Sequence, residues 1–190
     1  EFSPSSTAFT ADISDYGQTK EMIDAIGKVD VLVNNAGISY IGLFNTMKPS
    51  EWQYIMRNNV DSMFNCTHLV LENMIKCHSG KIINISSMWG ISGASCEAVY
   101  SASKGAVNSF TKALAKELGP SGIYVNAIAC GAIDTDMNSF MSQEERAAFT
   151  EEIPLCRFGK PDEVANLAVY LAEENTYITG QIISMDGGIN

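Results

Sequence analysis

Short runs of β-branched and apolar residues alternate with helical stretches along this chain, and that alternation limits the fold more than any other feature. The runs are Val29–Asn34 (VDVLVN), Lys81–Ser86 (KIINIS), Ile123–Ala129 (IYVNAIA) and Gln181–Met185 (QIISM). Each is close to continuously apolar, the pattern of strands covered on both faces of a parallel sheet. Between them, Ser50–Cys77 carries Trp52, Ile55, Met56, Val60, Met63, Phe64, Leu71 and Met74 at steps of three and four, which predicts one long helix. Val99–Leu118 is Ala-rich and stops at Gly119-Pro120. Pro161–Glu174 opens with Pro followed by acids, which suits a helix N-terminus. Alternating βα units predict an α/β fold, a doubly wound and mostly parallel sheet with right-handed crossovers, in one domain spanning residues 1–190.

The 190 residues are 46% apolar, enough to fill one core, and their net charge of −10 argues against a nucleic-acid partner. The five cysteines are scattered and form no Cys-x-x-Cys pair, which points to a reduced, cytoplasmic protein without disulfides. No apolar run is long enough for a membrane span, and no secretory signal opens the sequence. His68 and His78 are too few and too far apart for a metal site.

In an open α/β sheet the chemistry sits beyond the carboxyl ends of the strands. Asn34-Asn35-Ala36-Gly37 follows the first run, where small residues admit a ligand close to the backbone; an ordinary strand-exit turn looks the same. Ser86-Ser87 closes the second run. Tyr100 and Lys104 are four residues apart on the helix that follows, so they share a face. A phenol titrating near 10 is a poor acid–base catalyst at neutral pH, and an adjacent ammonium is expected to lower that value. Ser87 lies thirteen residues before Tyr100, across one loop, so both hydroxyls can converge on one substrate oxygen. A single Y-x-x-x-K is equally well a surface Tyr with a solvated Lys.

Taken together, NNAG, the Ser thirteen residues before Y-x-x-x-K, Gly131-Ala132-Ile133-Asp134-Thr135, Arg157–Ala165 and the tail from Tyr177 to Gly188 resemble the short-chain dehydrogenase/reductase family. Within it they are most similar to the 3-oxoacyl-acyl-carrier-protein reductases. The resemblance implies a Rossmann-like fold, NADP or NAD as cofactor, and reduction of a 3-oxoacyl thioester, free or carrier-bound. It implies that Tyr100 protonates the carbonyl oxygen and that Lys104 lowers the Tyr100 pKa and binds the nicotinamide ribose. It further implies that Ser87 holds the carbonyl and that Asn59 positions a relay water. Asp12 and Ile13 match the pair that contacts adenine. Asn35, Ala36 and Gly37 would line the cofactor cleft, and Ile133 and Thr135 would meet the carboxamide. Relatives commonly form homotetramers through the two long helices. A sugar-alcohol, acetoacetyl-CoA or hydroxysteroid dehydrogenase remains an alternative, as does an inactive relative that serves only in subunit association.

The chain departs from the family in three places. The Gly-rich turn of the first βα unit, which holds the pyrophosphate, has no match. The sequence reads as starting just before the family's third strand, at Thr7–Ala11, about fifty residues short; that strand is expected to be orphaned and the edge of the next exposed. A chain that short is expected to bind dinucleotide weakly or not at all. Cys130 stands where the family usually has Pro, and reads as a plain buried small side chain. The basic residues offered to an acidic carrier, Lys76, His78 and Lys81, are a modest cluster, and Ser121 occupies a position that is often basic in relatives. Glu144, Glu145, Glu151 and Glu152 read as the solvated face of a lid, and Met137, Phe140, Met141 and Phe149 as lid packing or acyl-chain contacts. Trp89 either borders the substrate pocket or packs within the fold.

Overall fold

The computed structural model describes residues 6–139 and 141–190, so Phe140 lies outside the described residues. Strands β1 (Val31–Asn34), β2 (Gly80–Ser87), β3 (Ile123–Cys130) and β4 (Ile182–Met185) lie side by side in chain order, every pair parallel. Parallel neighbours need crossover connections. The helices are α1 (Tyr16–Ile26), α2 (Pro49–Met56), α3 (Ser62–Cys77), α4 (Trp89–Ser92), α5 (Ala98–Leu118), α6 (Gln143–Glu152) and α7 (Pro161–Glu173). Strand side chains alternate between faces. Ile82 packs with Ile23, Val70, Met74, Leu114 and Leu118 of α1, α3 and α5, whereas Ile83 and Ile128 pack with Leu171 of α7. The sheet is therefore covered on both sides, as the apolar strand runs require.

Three segments differ from expectation. The predicted helix over Ser50–Cys77 is interrupted by a π turn, Arg57–Asp61, that joins α2 to α3 and holds Asn59. Thr7–Ala11 forms no strand. A strand persists only where its N–H and C=O groups find a ladder, and among the described residues β1 pairs on its β2 side alone. β1 is thus an edge, as expected, with Val31 and Val33 40% and 46% exposed. Helix α1, which the strand-centred reading passed over, starts at Asp15, whose carboxylate accepts from Gln18 N at 2.9 Å. Among the described residues no helix is long and apolar enough to cross a membrane, and no cluster of potential metal ligands forms.

A buried polar row crosses the layers and fixes the register. Asn34 Nδ2 donates to Asn84 Oδ1 at 2.8 Å and to Thr67 Oγ1 at 3.1 Å. Asn84 Nδ2 donates to Thr111 Oγ1 at 2.9 Å, and that hydroxyl donates to Val107 O. Asn34 and Asn84 are direct partners in the β1–β2 ladder, so the row links α3, β1, β2 and α5. Slipping one residue would carry Asn84 to the other face and strand its partners. Asn84→Ala is accordingly expected to lower the unfolding free energy by about 2–3 kcal/mol, read from the midpoint of urea denaturation.

Candidate active site

Helix α5 lays Tyr100 and Lys104 along one face, against the carboxyl end of β2, where Ser87 stands opposite Cys130 of β3. All of Asn59, Ser87, Tyr100 and Lys104 are buried. Lys104 Nζ donates to Ile85 O at 2.8 Å and lies 5.8 Å from the centre of the Tyr100 ring. Asn59 is sewn to both walls. Its Nδ2 donates to Ile38 O and to Ser103 Oγ, each at 2.9 Å, and its Oδ1 accepts from Ile38 N at 2.8 Å. Ser103 Oγ donates in turn to Tyr100 O at 2.7 Å. These contacts explain the π turn: Asn59 can satisfy the loop after β1 and the α5 backbone together only if the helix widens at this point. A cavity of about 10 Å³, the scale of one water, is bounded by Ile13, Ala36, Asn59 and Lys104.

The electrostatics differ from the sequence-based expectation. Burial pushes the Tyr100 phenol up to about 12; the Ser87 hydroxyl pulls it down, and Glu97 and Cys130 push it further up. Lys104 donates to the Ile85 carbonyl, and desolvation brings its ammonium down to about 8 against the opposing pull of Cys130. Desolvation disfavours the charged form of either group. Cys130 is half-buried rather than fully buried as expected, and that burial raises its thiol to about 11 against the pull of Lys104.

The expected cofactor residues fall into separate groups. Gly37 sits against the catalytic cluster, where a Cβ would lie 3.3 Å from Lys104 Nζ and 3.4 Å from Asn59 Oδ1. Asn35 and Ala36 are exposed just before it, and Ile13 and Ala36 border the small cavity. Asp12 is exposed, and its carboxylate accepts from Ser14 N and Oγ, which holds it below the usual carboxylate range. Ile133 lines a different cavity, with Leu155, Arg157 and Asp186. Thr135 is exposed beside it. The segment behind them, with α6, is tied down by an Asp134–Arg146 pair at 2.8 Å and by Phe149 edge-on to Phe158. Glu144, Glu145, Glu151 and Glu152 face solvent. Ser103 and Asn108 escaped the sequence reading, although both share the helical face that identified Lys104. Ser39, which donates to Glu97 Oε1 at 2.6 Å across the mouth, carries no sequence signal.

The chain is similar to known proteins over nearly its whole length. A family described as Enoyl-(Acyl carrier protein) reductase matches residues 2–190. The chain is 41% identical over 186 residues to the 3-oxoacyl-[acyl-carrier-protein] reductase FabG of Thermotoga maritima, covering 95% of this chain and 76% of that one. It belongs to the short-chain dehydrogenase/reductase family. Among solved structures it is similar to NADP-bound ElxO, with a TM-score of 0.90 at 35% identity over 95% of this chain and 77% of the other. It is also similar to the 3-oxoacyl-[acyl-carrier protein] reductase of Brucella melitensis, with a TM-score of 0.89 at 37% identity over 94% and 69%. As a short-chain dehydrogenase/reductase, the chain is an NAD(P)-dependent oxidoreductase. Its residues fit the nicotinamide end of such a cofactor: Gly37 keeps the Lys104 ammonium open to a ligand, and Lys104 has donors left after its bond to Ile85.

The Lys104 shift sets a pH dependence. Its folded value, about 8, lies below the ordinary 10.5, so between these values Lys104 binds more protons in the unfolded chain and its own contribution to stability rises with pH. Below pH 8 both states carry the proton and the full penalty stands. Lys104→Met is therefore expected to gain most over wild type near pH 7, with the gap closing towards pH 10.5, measured by urea unfolding of both proteins at each pH.

Proposed function

We propose that this enzyme reduces the ketone of a 3-oxoacyl thioester to the hydroxyl, with NADP(H) as cofactor and NAD(H) as the alternative. The observation that carries the reading is the geometry: the Tyr100 phenol beside the Ser87 hydroxyl, with the buried Lys104 ammonium 5.8 Å from the centre of its ring. Reduction starts from the protonated phenol, and the Ser87 hydroxyl works against burial by pulling its value down. When bound, the nicotinamide supplies the hydride. Ser87 holds the carbonyl oxygen by donating a hydrogen bond, and Tyr100 passes its proton to that oxygen. Lys104 then faces the new phenolate and binds the ribose. Asn59 and the one-water cavity beside Lys104 support a relay that returns a proton from solvent. Asp12 and Ile13 serve the adenine end, Asn35, Ala36 and Gly37 the cleft, and Ile133 and Thr135 the carboxamide.

The thioester assignment is supported by the names of the Thermotoga and Brucella relatives, and NADP by the ligand of ElxO. The names of those relatives favour a carrier-bound thioester, for which the basic cluster offers a modest surface. Lys76 pairs with Glu72, and Lys81 is folded over the Tyr124 ring and donates to Asn175 O. A homotetramer through the long helices is supported by an apolar patch of Phe44, Trp52, Ala98, Val99 and Ala102, with Leu43 58% exposed beside it. Five free cysteines suit a reducing cytoplasm.

With NADPH and a 3-oxoacyl thioester, absorbance loss at the nicotinamide band is expected for wild type. Tyr100→Phe should lower kcat roughly 100- to 10,000-fold. The rate should hold level near neutrality and fall above about pH 8 as Lys104 loses its proton. Equal turnover by wild type and Tyr100→Phe would remove the assignment.

A further inference from the structure

Beneath the reacting groups lies a polar contact that the proposed chemistry does not use. Asn108 follows Lys104 by one helical turn and is buried, as is Ser86, the residue before Ser87. Asn108 Nδ2 donates to Gly90 O at 3.0 Å. That carbonyl can only accept, which turns Asn108 Oδ1 the other way, and Ser86 Oγ donates to it at 2.6 Å. Ser86 Oγ also lies 3.3 Å from Lys104 O. One amide thus grips the chain on both sides of Ser87, one residue before it and three after.

The turn between those two points is tightly made. Met88 N donates to Cys130 O at 2.9 Å, Ile91 N to Met88 O at 2.9 Å, and Trp89 N to Ser87 Oγ at 3.2 Å. At Gly90 this turn meets α5 backbone to backbone, where a Cβ would lie 2.7 Å from Lys104 C and 2.8 Å from Lys104 O. Across this close contact, the Asn108 amide is the side chain that bonds Gly90 to α5.

We infer that Asn108, with Ser86, is a positioning strut that fixes where the Ser87 hydroxyl stands relative to Tyr100 and Lys104. This rests on the reductase reading, in which Ser87 and Tyr100 must reach one carbonyl oxygen. Asn is the residue that fits: Leu has its shape without the donor and acceptor, and Asp keeps the acceptor while setting a carboxylate against the Gly90 carbonyl. Small displacements of a positioned group are costly for catalysis because the reacting geometry is narrow.

The test uses Asn108→Leu, Ser86→Ala and the double variant, which removes both buried partners together and so guards against misfolding from an orphaned hydroxyl. Asn108→Leu and the double variant are expected to lose ten- to a hundredfold in kcat, with KM for NADPH within twofold of wild type. Ser86→Ala, which keeps the Gly90 bond, should lose fivefold or less. A second readout needs no turnover. In a Trp52→Phe background, acrylamide quenching of Trp89, two residues past Ser87, should rise at least twofold in Asn108→Leu. Unchanged quenching overturns the strut. Raised quenching with normal kcat overturns its role in positioning, as does a kcat loss matched by an equal rise in KM for NADPH. A wild type that reduces no ketone would defeat the reductase reading instead, while the Trp89 signal still decides whether the strut exists.

Discussion

The site depends on burying a polar stripe of α5 against the sheet without leaving any of it unmatched. Tyr100, Ser103, Lys104, Asn108 and Thr111 are all buried on this helix. Each buried polar atom costs stability unless it is paired. Here the partners come from different elements: Ile85 O for Lys104, Asn59 for Ser103, Ser86 and Gly90 for Asn108, and Asn84 for Thr111. The helix therefore has one seating on β2, because a shift along its axis would break all these bonds together. Rigid seating of this kind is what lets a few hydroxyls and one ammonium hold a fixed geometry.

Dryness then sets the chemistry. The same burial acts oppositely on the two titrating groups, raising the phenol to about 12 and lowering the ammonium to about 8. Burial by the chain's own residues thus favours the neutral form of both groups. The small cavity touching Lys104 and Asn59 lies where a proton exchange would begin.

Much of this was legible from residue order. The β2 and β3 runs, α5 with its Gly119-Pro120 stop, and the Tyr100–Lys104 face all follow from local periodicity, which depends on residues a few positions apart. What escaped depends on residues far apart. The π turn answers Ile38 and Ser103, respectively 21 positions before and 44 positions after Asn59. Thr7–Ala11 has strand composition, yet a strand exists only with a neighbour to complete its ladder. Helical spacing reports the nearness of Lys104 to Tyr100 but says nothing of how little water reaches either group, and it is that burial which pushes Tyr100 up. Asn108 was within reach, since the four-residue step that joins Tyr100 to Lys104 leads on to it.

The widened turn at Arg57–Asp61 also has a consequence for the rod it interrupts. A π turn holds one more residue than the α-helix around it, and each α-helical residue advances the face by about 100°. The wider turn absorbs that extra residue, so α2 and α3 keep nearly the phase of one unbroken helix. Removing a single residue there would close the turn into regular helix and leave Val70 and Met74 in the core, while Asn59 would lose the widened seat from which it reaches Ile38. A deletion at this point of the chain should therefore be carried by the fold and felt at the site.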